Sequence, residues 1–185
     1  MFDPPTGGEN FSPTDLAGSK NIIITMLNKI KKIFGREYHP LNRIEISRSA
    51  LVHNYQYLSN LNKKILIAPV LKSNAYGHGL VQVAKLLDPL GAPFFCVDSI
   101  YEAYELLKAG IKTKILIMGY IDPENLKVKK LPFSYAVYNE EQLKVINKYQ
   151  KGAGIHIKFD SGMHRLGITI DELSKFINTL KVALS

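Results

Sequence analysis

Short apolar runs alternate with amphipathic helical segments from residue 42 to the end of this chain. The runs are rich in aliphatic and β-branched residues and carry little polarity on either face, which is typical of parallel strands covered on both sides. Because parallel neighbours must be joined by a crossover, usually a helix, this order predicts an α/β architecture. Five buried strands are predicted, after a shorter one at "RIEIS": "KILIAPVL", "PFFCVDS", "KILIMGY", "FSYAVYN" and "GIHIKFDSG".

Capping residues mark the ends of the predicted helices. The helix starts are expected at Ser47 or Ser49, at Ser99, and at Thr169 or Asp171, and the helix stops at Gly91 and Gly110. A further helix is predicted at "EEQLKVINKYQKG" and a single turn at "DPENL". Five strands could form an open, doubly wound sheet or part of a closed eight-stranded barrel, which takes about 250 residues. The periodicity of the sequence leaves both arrangements open.

The first forty residues have a different composition. Residues 1–20 are rich in Pro, Gly, Ser, Thr and Asn, so they are predicted to be disordered or loosely draped over the rest of the chain. The segment 21–34, "NIIITMLNKIKKIF", has apolar residues at helical spacing and lysines on the other face. We expect this basic amphipathic helix to dock on the rest of the protein, with contact to a membrane surface as the alternative. The predicted domains are therefore an N-terminal extension, 1–41, and an α/β domain, 42–185.

Composition narrows the possible partners. The net charge of +8 suits anionic ligands, but aromatic residues are not interleaved with the basic ones, so no nucleic acid is predicted. The single cysteine, Cys96, can form no internal disulfide and is expected to be a buried, inert thiol in a reducing compartment. No secretory signal or membrane-spanning stretch is evident, and a cytoplasmic location is expected. Neither phosphate-binding glycine patterns nor metal-ligand spacings occur, so neither a dinucleotide nor a metal is predicted.

A lysine ends the first long apolar run and is followed by the turn "SNAYGHG". Alternation along a strand places Lys72 on the same face as Leu66, Ala68 and Val70. Partial desolvation on such a face favours the neutral, nucleophilic amine. From the residues alone, Lys72 is either a solvated strand end or a reactive amine directed into a site.

The last predicted strand has a similar end. Alternation puts His156, Lys158 and Asp160 on one face of "GIHIKFDSG", and polar groups along a buried strand must satisfy one another or a ligand. The turn "DSGMHRLG" follows, as "SNAYGHG" follows Lys72. In α/β folds ligands bind at the carboxyl ends of the strands, so both turns are candidates for a binding site.

Three blocks of the sequence resemble the alanine racemases. "VLKSNAYGHG" is similar to the cofactor-lysine signature of that family, "HIKFDSGMHRLGI" to its second block, and "RIEISRSALVHNYQYL" to its opening strand and helix. The blocks occur in the family's order from about residue 42 to 185. The resemblance implies an eight-stranded α/β barrel, pyridoxal 5'-phosphate as cofactor, and a homodimer that interconverts L-alanine and D-alanine for peptidoglycan.

The resemblance also assigns roles to four residues. Lys72 would form the Schiff base with pyridoxal phosphate and act as one of two proton-transfer bases. Tyr76 would donate its hydroxyl to the cofactor phosphate, and Arg165 would hydrogen-bond the phenolic oxygen of the ring. Lys158 matches a position that is carbamylated in many members, where the carbamate orients the arginine.

Two functional residues of the family have no counterpart in this sequence. They are the second base, a tyrosine from the partner subunit's C-terminal domain, and an arginine at the pyridine nitrogen. The chain is therefore expected to be a fragment, with about five of eight barrel strands, that does not racemise alanine by itself. The alternatives are a racemase for serine or a basic amino acid, and a non-catalytic barrel protein that binds pyridoxal phosphate.

Overall fold

The computed structural model describes residues 41–184, and from Ile44 onward the chain forms one compact unit. The segment predicted to be disordered, 1–20, and the predicted basic helix, 21–34, lie outside the described residues. The elements that follow are numbered within the described part.

A four-stranded parallel sheet organises the fold, and its strands lie in chain order. Phe95 is opposite Ile115, and Tyr135 is opposite Ile155. A sheet that is wound in one direction keeps its crossover helices on one face, as in a barrel, whereas a doubly wound sheet reverses its strand order. The α/β prediction is confirmed, and of its two arrangements the structure has the partial barrel. The strands are β1 (Phe95–Val97), β2 (Ile115–Ile117), β3 (Ser134–Val137) and β4 (Ile155–Ile157).

A ring contact demonstrates the curvature of the sheet. The side chains of Phe94, before β1, and His156, in β4, meet edge to face with their ring centroids 5.0 Å apart. In a flat sheet, three strand spacings would separate these two strands by about 14 Å. The sheet therefore curls toward this face, which corresponds to the interior of a barrel.

Helices cover the opposite face, and the predicted capping residues lie at the ends of these helices. Ser47 Oγ accepts the N–H of Ala50 at 3.3 Å, and Ser99 Oγ accepts that of Glu102, also at 3.3 Å. Gly91 and Gly110 have the positive φ of helix stops, and the last helix begins directly after Thr169. The helices are α1 (Arg48–Leu61), α2 (Lys72–Tyr76), α3 (Leu80–Leu87), α4 (Ile100–Lys108), α5 (Pro123–Lys127), α6 (Glu140–Tyr149) and α7 (Ile170–Leu184), with a 3-10 turn at Asp88–Leu90.

Alternation along the strands separates two buried layers. Phe95, Val97 and Tyr135 belong to the hydrophobic core beneath the helices. Cys96 points to the other face and is also buried, and this burial raises the pKa of its thiol. The prediction that Cys96 is buried is confirmed, and burial disfavours the thiolate form on which reactivity depends.

Two polar side chains tie loops to this core. Gln150 is 1% exposed, and its amide accepts from the N–H of Leu131 at 2.8 Å and from the hydroxyl of Tyr135 at 3.3 Å. The carboxylate of Asp88 accepts two hydrogen bonds from Thr113, from its N–H at 2.8 Å and its hydroxyl at 2.7 Å. Burial alone would raise the pKa of Asp88, but these hydrogen bonds outweigh it and lower the pKa.

Three predictions about strands are wrong. "RIEIS" forms no strand, and no strand among the described residues runs beside it. "KILIAPVL" pairs with the sheet only through a bridge between Val70 and Cys96, because Pro69 has no N–H to donate. The strand at "GIHIKFDSG" is not buried: β4 is the last strand of the sheet, pairs only with β3, and leaves His156 exposed.

None of the helices within residues 41–184 combines the length and the apolar character needed to cross a lipid bilayer.

Candidate functional site

All four strands are parallel, so their carboxyl ends lie at one edge of the sheet. Lys72 lies at this edge, two residues after the bridge at Val70, and Lys158 lies directly after β4. The ladder continues past the assigned strands, since the N–H of Lys158 donates to the carbonyl of Val137 at 2.8 Å. The two predicted site lysines therefore lie at the same edge, which is where α/β barrels bind their ligands.

The short helical turn α2, which begins at Lys72, is left-handed. Ser73, Asn74, Ala75 and Tyr76 all have φ between 52° and 55°, the left-handed helical region. A β-carbon makes this conformation unfavourable by about 1–2 kcal/mol per residue, so four successive residues store several kcal/mol. Strain of this kind persists only where the surroundings fix it, and it is concentrated at functional sites.

Asn74 is the residue that fixes the left-handed turn. Its side-chain oxygen accepts the N–H of Leu80 at 2.8 Å, which satisfies a free donor at the start of α3. Its own N–H donates to Glu102 Oε1 at 3.2 Å. Gly77 then leaves the turn with φ 87°, and Ala75 is buried beneath it. The turn is thus held by α3 and α4 as well as by its own hydrogen bonds.

Glu102 also binds the end of β1, since its second oxygen accepts the N–H of Asp98 at 2.9 Å. Glu102 is not among the site residues predicted from the sequence. A readable signal was present, because Ser99 and Glu102 have the spacing of a capping box, in which a glutamate returns to the helix start.

Gly119 keeps Asp98 close to the end of β2. The N–H of Gly119 donates to the Asp98 carbonyl at 3.1 Å. A β-carbon at this position would lie 2.8 Å from Asp98 Oδ1 and would overlap the carbonyl oxygen. Only glycine permits this approach of the two strand ends.

The loop 160–167, which contains Arg165, is closed by Asp160. Its carboxylate accepts the N–H groups of Gly162 at 2.9 Å and His164 at 3.1 Å, and these bonds lower the pKa of the carboxyl. At the base of the loop, the N–H of Ile168 donates to the carbonyl of Lys158 at 2.9 Å. The loop therefore begins and ends at the strand that carries Lys158.

The structure brings the segments of the four predicted site residues to one edge but does not join their side chains. Lys72 and Lys158 are half-buried, Tyr76 is 60% exposed, and Arg165 is exposed. Within residues 41–184 none of the four forms a hydrogen bond or ion pair with another, and no carboxylate neutralises Lys72, Lys158 or Arg165.

The apolar face predicted for Lys72 is not a strand face. Leu66 is 76% exposed and Val70 is 39% exposed. Across the described part of the chain, no group of three or more His, Cys, Asp and Glu side chains is arranged to hold a metal ion.

Comparison with known proteins agrees with this architecture. Residues 46–183 match the family model of the alanine racemase N-terminal domain. An amino-acid racemase of Enterococcus faecalis is 42% identical over 127 residues, which cover 68% of this chain and 18% of that protein. Alanine racemase 1 of Caldanaerobacter subterraneus subsp. tengcongensis is 38% identical over 131 residues, or 68% of this chain and 34% of that protein.

A solved structure shares the fold as well. The crystal structure of alanine racemase from Oenococcus oeni superimposes with a TM-score of 0.66 at 31% identity, covering 75% of this chain and 41% of that one. This chain thus spans less than half the length of each of these relatives. The match to the family model extends over most of the chain, and the chain belongs to the family of the alanine racemase N-terminal domain.

Proposed function

We propose that this chain supplies the cofactor-binding barrel part of an alanine racemase and that Lys72 is its cofactor lysine. One observation carries the proposal: Lys72 lies at the ligand-binding edge of a barrel-type sheet, at the start of a strained left-handed turn. Strain of several kcal/mol in an ordinary surface turn would have no compensating use. At a strand end that must present an amine in one orientation, the strain has such a use.

The residues present fit pyridoxal phosphate, which carries a phosphate and a phenolic oxygen. Anionic groups of this kind call for cations and hydroxyl donors. The edge offers the amines of Lys72 and Lys158, the guanidinium of Arg165 and the hydroxyl of Tyr76. Among the described residues no carboxylate pairs with these cations, so they are free to bind an anionic ligand.

Each residue then has a specific task. When bound, pyridoxal phosphate supplies an electron sink for charge at the substrate α-carbon. Lys72 would hold the cofactor covalently through Nζ, and the same atom would accept or return the α-proton on one face. Tyr76 would donate its hydroxyl to the phosphate, and Arg165 would donate to the ring oxygen. We further propose that Lys158 is carbamylated, since a carbamate beside Arg165 would attract the guanidinium and orient it.

Racemisation also needs a base on the opposite face of the α-carbon, and we propose that a partner subunit provides it in a homodimer. Alanine is the proposed substrate because alanine racemases are among the relatives and the solved structures that this chain resembles. A serine/alanine racemase of Enterococcus gallinarum, 33% identical over 127 residues, supports serine as the alternative.

The test is to treat the protein with pyridoxal phosphate, reduce it with borohydride and map the modified peptide. The label is expected on Lys72 and should be lost in Lys72→Arg, while Lys158→Arg should retain it. A label on another lysine would refute the assignment. Mass spectrometry after growth with carbon-13 bicarbonate, under conditions that preserve carbamates, tests the modification of Lys158.

Activity is a separate measurement. Formation of D-alanine from L-alanine and exchange of the α-proton in deuterated water are followed in parallel. Exchange without racemisation would indicate that only one face of the α-carbon is served. If Lys72 is labelled and neither process occurs with alanine or serine, the protein binds the cofactor without racemising these substrates.

A further inference from the structure

The carboxylate of Glu102 joins three segments of the chain. Glu102 is the third residue of α4, and its backbone N–H is bound by the capping Ser99. In a capping box the carboxylate would accept the N–H of the capping residue itself. Here it accepts the N–H of Asp98, one residue earlier, and with its other oxygen that of Asn74, 28 positions away in sequence.

We propose that Glu102 is a positioning residue for Lys72. The inference rests on the proposed function of that lysine. Asn74 is only two residues from Lys72, and its N–H points at a carboxylate held at the end of β1. Glu102 therefore sets the position of the turn relative to the sheet edge, where Lys72 must present its amine.

The left-handed conformation makes this bond important. Nothing in the intrinsic preference of Ser73, Ala75 or Tyr76 favours positive φ, so the turn depends on its anchors. One anchor is the bond from Leu80 to the Asn74 side chain, and the other is the bond to Glu102. When the second anchor is lost, the turn keeps its bond to α3, and Leu71 before it keeps its 2.7 Å hydrogen bond to Cys96 of β1, but Asn74 is no longer fixed to the end of β1. The Lys72 amine then samples a wider region, and capture of a carbonyl ligand weakens while the fold persists.

The experiment compares Glu102→Gln with two variants of the same helix. Ser99→Ala removes the cap of α4 without changing the carboxylate. Glu105→Gln removes an exposed carboxylate that, among residues 41–184, pairs only with Lys108, at 2.9 Å. Three quantities are measured in each: the pyridoxal phosphate concentration that gives half-maximal borohydride labelling of Lys72, the amide exchange rate of Asn74, and the midpoint of urea unfolding.

Glu102→Gln should raise the half-saturating concentration about tenfold, equivalent to about 1.4 kcal/mol, and speed amide exchange at Asn74 at least tenfold. Both controls should stay within about twofold of the wild type. If Glu102→Gln labels like the wild type, or if Ser99→Ala produces an equal loss, Glu102 only caps the helix and the inference is wrong. Should the glutamine variant not fold, Glu102→Asp, which keeps the charge on a shorter side chain, is expected to give the same result.

The two hypotheses fail in different ways. A wild-type protein that is not labelled on Lys72 refutes the proposed function. The positioning role is then decided by the Asn74 exchange rate and by the acetylation rate of Lys72 with acetic anhydride. Unchanged values of both in Glu102→Gln would overturn it.

Discussion

Replacing Gly119 by alanine tests whether the strand ends at the candidate site are as tightly packed as the structure indicates. The new β-carbon would lie 2.8 Å from Asp98 Oδ1 and would overlap the Asp98 carbonyl oxygen. The side-chain oxygen can rotate away, but the carbonyl belongs to the backbone, so the ends of β1 and β2 must separate. Overpacking of this kind costs about 1–3 kcal/mol.

Separation also weakens the 3.1 Å hydrogen bond from Gly119 to Asp98, which contributes about 1 kcal/mol. Alanine restricts the unfolded chain and returns about 0.4–1 kcal/mol. The net loss in the free energy of unfolding is therefore expected to be about 1–3.5 kcal/mol. For a chain of this length that corresponds to a decrease in melting temperature of roughly 2–14 °C.

The assay is urea denaturation followed by circular dichroism, with Gly152→Ala as the control. A β-carbon on Gly152 meets no atom within 4 Å, and its φ of 81° adds only conformational strain of about 1–2 kcal/mol. Because Asp98 also binds Glu102, Gly119→Ala should weaken labelling of Lys72, whereas Gly152→Ala should not. A loss of stability below 0.5 kcal/mol in Gly119→Ala, or equal labelling in both variants, would refute this reasoning.

Three further predictions concern groups outside the site. Asp88 has a lowered pKa in the folded state, so the stability it provides is present above about pH 4 and is lost as the pH falls through the folded pKa. When urea unfolding midpoints are measured over a series of pH values, Asp88→Asn should reduce the decrease in the midpoint at acid pH. An unchanged decrease would contradict this. Gln150→Leu removes the acceptor of the Leu131 N–H and the donor to the carbonyls of Leu126 and Lys129; at about 1–3 kcal/mol for each buried group left unsatisfied, it should destabilise the protein by about 3 kcal/mol or more in the same urea assay. A loss below about 1 kcal/mol would contradict this. Burial, with a smaller contribution from Tyr104, raises the pKa of Tyr135 to about 12, so the free energy of unfolding should fall between about pH 10 and 12. Tyr135→Phe should reduce that fall, and an ultraviolet titration of this variant should show one late-ionising phenol fewer than the wild type.

Local patterns in the sequence were sufficient to predict the class of fold and most of the helices. Apolar residues recur with different periods in strands and in helices, so the two kinds of segment can be told apart in the sequence. Helix caps depend on adjacent residues, so Ser99 and Gly110 could be assigned without knowledge of the residues that pack around them. The motif around Lys72 likewise depends on adjacent residues, and it identified the family that the comparisons support.

Features that depend on a partner distant in sequence could be read only from the folded chain. Whether "KILIAPVL" becomes a strand depends on a neighbour that supplies a ladder, and in the structure it keeps only the bridge at Val70. The choice between a barrel and a doubly wound sheet required the order of the strands, which the length of an apolar run does not encode.

The candidate site shows the same division. Lys72 could be read from its motif, whereas the left-handed conformation of the residues after it could not, because Ser73, Ala75 and Tyr76 do not prefer positive φ. That conformation is imposed by hydrogen bonds from Leu80 and to Glu102, groups that become neighbours of Asn74 only when α3 and α4 pack around the strand ends. Adjacent residues of the motif predict Lys72 as the reactive residue, and packing across the chain determines the position of the strand end that carries it.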